Sequence, residues 1–100
     1  MNPEDTDWKQ VLSCLCQKLC EKNYTDPDFE EKVFRWEYAA TTAFGNIAIP
    51  HSAYMNTIKA SIALAISRKG VPWGSGTVHL VLLLAINKAD KKTSVCCTRL

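Results

Sequence analysis

A chain of 100 residues has room for one domain built around a single layered core. Its 47% hydrophobic and 22% charged residues are the balance of a globular protein, not of a disordered segment. The formal net charge of +2 rests on basic residues scattered along the chain, apart from the pairs Arg68-Lys69 and Lys91-Lys92, so there is no basic stripe for a phosphate backbone and direct nucleic-acid binding is not expected.

The opening "MNPEDTDWKQ" is acidic and lacks the basic and apolar blocks of a secretion signal, which makes the cytoplasm the expected compartment and the five cysteines reduced thiols. From Trp8 to Lys22 the apolar residues Trp8, Val11, Leu12, Leu15 and Leu19 recur at helical steps, predicting a first helix entered through the capping-capable "EDTD". Cys14 and Cys16 would point about 200° apart on that helix. Only Cys16 and Cys20 share a face, and with no CxxC knuckle anywhere no metal site is expected; the cysteines read as structural. Asp26 and Pro27 then supply a cap and a first-turn proline for a second helix, with Phe29, Val33, Trp36 and Ala40 as its apolar stripe and Lys32 and Arg35 further along. Thr41 and Thr42 stop it.

After a Gly45-Asn46 turn, "IAIP" predicts a short strand closed by a proline, which leaves His51 at the strand's end. Residues 52–57 read as a polar loop. "SIALAIS" alternates Ile62, Leu64 and Ile66 with small residues, a strand with one bulky face and one suited to close packing by a helix. "RKGVPWGSG" reads as a loop, and "VHLVLLLAI" as a central strand covered on both faces. That apolar run is far below the roughly 20 residues needed to span a bilayer. Beyond Asn87 the pattern fades into "NKADKKTSVCCTRL". Two helices followed by strands predict an α/β or α+β layered domain without internal repeats.

Of the two histidines, His79 lies inside an apolar strand on the face of Val81, Leu83 and Ala85, as a structural side chain would. His51 follows a proline whose φ is fixed, sits where sites on open sheets collect, and has hydroxyls at Thr41, Thr42 and Ser52 close in sequence. A neutral imidazole there is a competent nucleophile. On these features alone a structural histidine with a satisfied ring remains the commoner outcome.

"TAFGNIAIPH" resembles the active-site motif of the type-2 enzyme IIA domains, mannitol and fructose class, of the bacterial phosphoenolpyruvate-dependent sugar phosphotransferase system: a threonine, a glycine turn, an apolar-Ala-apolar strand, then Pro-His. Thr42, Gly45, Ile47, Ala48, Ile49, Pro50 and His51 match in order, and the resemblance runs from about Asp7 to Ile86. It implies a layered α/β sandwich, a small mixed sheet flanked by helices, in which His51 accepts a phosphoryl group from the phosphocarrier protein HPr and passes it to a sugar-specific IIB domain, with no cofactor. Thr42 and Ser52, with backbone N–H groups beside His51, would steady the phosphoryl oxygens; for Thr42 a plain helix stop is an equal alternative. Within the family, "TAFGN" with "KGVPWGSGTVHLVLLLAIN" looks most like the IIA-like domains of antiterminator-type sugar regulators, where the phosphohistidine is a regulatory mark without independent turnover.

The sequence departs from the pattern in three places. The family's Arg-Glu pair on the second helix falls at Trp36 and Glu37, with Arg35 one residue out of step, about 100° around a helix. The second histidine of mannitol-type members, expected just after the last matched strand, is absent from "NKADKKTS"; His79 is too early to replace it, and Lys88 and Lys91 read as solvated. The family domain also continues into further helices that "TSVCCTRL" does not resemble. The chain therefore reads as a single partial IIA domain spanning 1–100, an open apolar sheet face being a place for a partner or a second copy. Three functions follow: a regulatory module, a transport phosphocarrier, or a nonfunctional remnant.

Overall fold

The computed structural model describes residues 7–52, 56–74 and 76–100. Helix α1 spans Trp8–Glu21, α2 Phe29–Ala39, and five strands follow: β1 Ala43–Phe44, β2 Ile47–Ala48, β3 Asn56–Trp73, β4 Gly76–Asn87 and β5 Ser94–Arg99. The strands form one mixed sheet in the order β1-β2-β4-β3-β5. β3 and β4 make an antiparallel hairpin at its centre, while β2 on β4 and β5 on β3 run parallel. This is the layered α/β architecture expected.

The Asp7 side chain caps α1 by accepting from Gln10 N–H at 2.9 Å. The apolar face of α1, Val11, Leu12, Leu15, Cys16 and Leu19, is buried against the small-residue face of β3, where Ala63 and Ala65 pair with Leu83 and Val81 of β4. Alanines there let the helix approach closely, as the alternation of "SIALAIS" requires. Burial pushes the Cys16 thiol far above the ordinary thiol range, with the charge of Glu30 adding to it. All five cysteines are unpaired.

Several boundaries differ from expectation. The second helix starts at Phe29 with Asp28 at the cap; Asp26 contributes its carbonyl, which accepts from Phe29 N–H at 3.0 Å. Its core face is Phe29, Val33 and Glu37, with Trp36 on the flank 44% exposed. "RKGVPWGSG" is no loop: β3 runs through it to Trp73, and Pro72 pairs with Thr77. Pro72 is tolerated because β5 reaches only as far as Ile66, which leaves that side of β3 an open edge. The polar segment 52–57 becomes strand from Asn56 onward, residues 53–55 of it lying outside the described residues. "SVCCTR", where the pattern fades, is the parallel edge strand β5.

β4 is central, but only its Val81, Leu83, Ala85 face is deeply buried; Leu80, Leu82 and Leu84 are half-buried and Ile66 and Val95 beside them are exposed. Among the described residues, the two-sided cover expected of so apolar a strand is found on the helix side alone. His79 does not continue the core face. Val78 and Val81, three residues apart, are both buried, and the Asn46 carbonyl accepts from both His79 N–H (2.9 Å) and Leu80 N–H (3.3 Å), the two-against-one count of a β-bulge. His79 Nδ1 is bonded to the Asn46 side-chain oxygen. Its ring lies over Gly70, whose φ of +87° belongs to the left-handed region.

Two expectations follow. In Gly70→Ala the new Cβ would overlap the Thr77 methyl and come within 3.0 Å of His79 Nε2, on a backbone that already disfavours it, so chemical denaturation should show a loss of about 1–3 kcal/mol. The Cys16 thiol stays protonated in the folded protein where an unfolded one ionises, so its contribution to stability is present below about pH 9 and falls as pH rises beyond that. Thiol labelling followed by mass spectrometry at pH 8 should accordingly modify exposed Cys97 first and Cys16 only on unfolding.

Candidate active site

His51 is held by its neighbours on both sides. Pro50 is fully buried, and its carbonyl accepts from Leu84 N–H of β4 at 3.0 Å; Ser52, next in the chain, is buried as well. The imidazole between them is only partly buried. Its Nδ1 lies 2.9 Å from the Ile49 carbonyl oxygen. A carbonyl only accepts, so Nδ1 carries the hydrogen and the neutral ring keeps its lone pair on Nε2. The Trp36 ring flanks the imidazole, centroids 6.0 Å apart and planes inclined at 52°.

Beneath this lies a buried carboxylate. Glu37 is 5% exposed; its Oε2 accepts from Thr42 N–H (2.7 Å) and Trp73 Nε1–H (2.9 Å), and its Oε1 from the Thr42 hydroxyl (2.8 Å). Thr42 Oγ1 in turn accepts from Ile49 N–H at 3.2 Å. The residues picked out by sequence are thus brought together unequally. Thr42 is tied to the residue that holds His51, and its hydroxyl hydrogen is directed at Glu37. Ser52 adjoins the ring in sequence. Arg35 pairs with Glu31 one turn away at 3.2 Å, on a face where both side chains are more than 70% exposed, and Trp36 is the residue of α2 in ring contact with His51.

Sequence reasoning passed over Glu37 as a structural centre. The signal was there: Phe29, Val33 and Glu37 fall at four-residue steps, which puts a carboxylate on the core face and obliges it to find donors. Trp73 was obscured by reading its segment as a loop. Among the described residues no group of three or more His, Cys, Asp or Glu side chains is placed to hold a metal, and no helix is long and apolar enough to cross a membrane.

A family model described as "Phosphoenolpyruvate-dependent sugar phosphotransferase system, EIIA 2" matches residues 1–96, and the chain belongs to that family. Among solved structures it is similar to the complex of mannitol enzyme IIA with phosphorylated mannitol enzyme IIB from Escherichia coli, with a TM-score of 0.74 at 17% identity over 85% of this chain and 64% of that one. The crystal structure of mannitol IIA from Escherichia coli gives the same TM-score of 0.74 at 18% identity, over 84% of this chain and 64% of that one. At these identities the likeness is one of fold, and the chain spans about two thirds of the length of either neighbour. A search of curated protein sequences gives no match.

The tautomer is directly checkable. Long-range proton–nitrogen NMR spectra of the neutral protein should show His51 predominantly in the Nδ1–H form, and a dominant Nε2–H form would contradict the Ile49 contact.

Proposed function

We propose that His51 Nε2 accepts a phosphoryl group from HPr, and that the domain serves as a regulatory module of a sugar-responsive transcriptional regulator of the antiterminator type. The observation that carries the reading is the Nδ1 bond to Ile49, which frees Nε2 on a partly exposed ring in a chain of the enzyme IIA type-2 family. In the transfer, the bond between phosphorus and the donor's leaving atom breaks as the Nε2–P bond forms, while the hydrogen stays on Nδ1, donated to the Ile49 carbonyl. Such transfer asks the protein mainly for alignment and charge stabilisation. Ser52 and nearby backbone N–H groups are assigned to the phosphoryl oxygens. Arg35 would join them only by leaving Glu31, and Thr42 acts through its hold on Ile49.

The regulatory reading draws on Trp36. Fast onward transfer gains from a cation beside the migrating group, and the flank of His51 carries an indole where the family commonly has arginine. Without that cation a phosphoryl group would leave slowly, which suits a mark that is sensed. The transport reading, in which His51 passes phosphate to a IIB domain, is favoured by one observation: a structural neighbour is a IIA bound to a phosphorylated IIB.

Incubation with enzyme I, HPr and phosphoenolpyruvate should place one acid-labile phosphoryl group on the protein, lost in His51→Ala and kept in His79→Ala. Prompt chase of that phosphate onto a IIB domain would decide for transport. A folded protein that takes up no phosphate would overturn both readings and leave a nonfunctional remnant.

A further inference from the structure

We infer that Glu37 is the positioning residue of His51, setting which ring nitrogen is free through a relay of hydrogen bonds that passes through Thr42 and Ile49. The inference rests on the reading of His51 as the reacting group. A buried carboxylate is stable only when its lone pairs meet donors, and Glu37 meets three, one of them the Thr42 hydroxyl. An ionised carboxylate can only accept. It therefore fixes the direction of the Thr42 hydroxyl: the hydrogen points to Glu37 Oε1, and a lone pair faces Ile49 N–H. Ile49 is then held at both ends, its N–H on Thr42 and its carbonyl on His51 Nδ1. Pro50, with φ fixed by its ring and its carbonyl bonded to Leu84 N–H, stops that carbonyl from turning away.

Polarity is therefore what Glu37 supplies, beyond shape. A glutamine of the same size has two ways to sit. With its NH2 toward Thr42 N–H and Trp73 Nε1–H, it sets donors against donors. With its NH2 toward the Thr42 hydroxyl, it turns that hydroxyl's hydrogen out of its bond and weakens the hold on Ile49 N–H. Either way the Ile49 carbonyl is less well fixed, and the Nε2–H tautomer of His51, which has no lone pair on Nε2, gains population.

The test is Glu37→Gln, with Thr42→Val as an independent break that keeps the Thr42 N–H bond to Glu37, and Thr42→Ser as the variant that restores the hydroxyl. Circular dichroism and thermal melting establish that each is folded. NMR of the unphosphorylated proteins should show the Nε2–H tautomer of His51 rising at least several-fold in Glu37→Gln and Thr42→Val, and returning to the wild-type level in Thr42→Ser. The rate of phosphoryl uptake from HPr at saturation should fall about 5- to 20-fold in the first two, with the HPr concentration for half-maximal rate unchanged. Folded Glu37→Gln and Thr42→Val proteins with the wild-type tautomer ratio would overturn the inference; should Glu37→Gln fail to fold, Thr42→Val alone decides it. Because the tautomer is read without any donor, failure of HPr to phosphorylate the wild type would count against the function proposed above and leave this result standing.

Discussion

The carboxylate of Glu37 draws its donors from two distant parts of the chain, Thr42 just beyond the end of α2 and Trp73 at the tip of the central hairpin. Helix, β1–β2 segment and hairpin therefore meet at one group. An apolar residue in its place would leave two N–H groups and a hydroxyl facing hydrocarbon, each costing about 1–3 kcal/mol when unsatisfied. The short strands β1 and β2 have two residues each and too little ladder to hold a position by themselves. They depend on this point, on each other and on the pairing of β2 with β4.

β4 supplies the second constraint. It pairs in parallel with β2 through Ile47 and Ala48, accepts the chain's next contact at Pro50, and bulges at His79 and Leu80 where both N–H groups meet the Asn46 carbonyl. The bulge takes up one residue where the Gly45-Asn46 turn meets the sheet, so that Val78 and Val81 can both reach the core. From there the path to His51 is determined: Ala48 is buried, Ile47 and Ile49 turn outward, Pro50 is buried, and His51 emerges at the rim.

What the sequence showed plainly were features with a strong period or a strong stop: the face of α1, the bulk-and-small alternation of β3 and the Gly-Asn turn; the strand expected to close at Pro50 ends at Ala48, two residues before it. What it hid depended on contacts made across the chain. Gly70, Pro72 and Gly74 look like loop residues, yet Gly70 serves a bulge, Pro72 an edge, and Gly74, at φ +61°, the turn itself. β5 is six residues of which Val95 and Cys97 face outward, and nothing local distinguishes such a strand from a tail until β3 is there to pair with it. At the candidate site, His51 was singled out through a motif, whereas the hydrogen bonds that gather on Glu37 required seeing that Trp73 reaches the end of α2.

The two histidines share one local device in different surroundings. Each has Nδ1 bonded to an oxygen, Ile49 carbonyl for His51 and the Asn46 side chain for His79, so each is disposed to leave its lone pair on Nε2. For His79 that nitrogen is set against the backbone of Gly70, so close that even a methyl group there would press on it. For His51 the neighbouring ring is the half-exposed indole of Trp36, tilted against it with centroids 6.0 Å apart. A nucleophile needs a fixed lone pair and an open approach together. His79 has only the first of these, whereas the function proposed above requires that the path from Ala48 through buried Pro50 give His51 both.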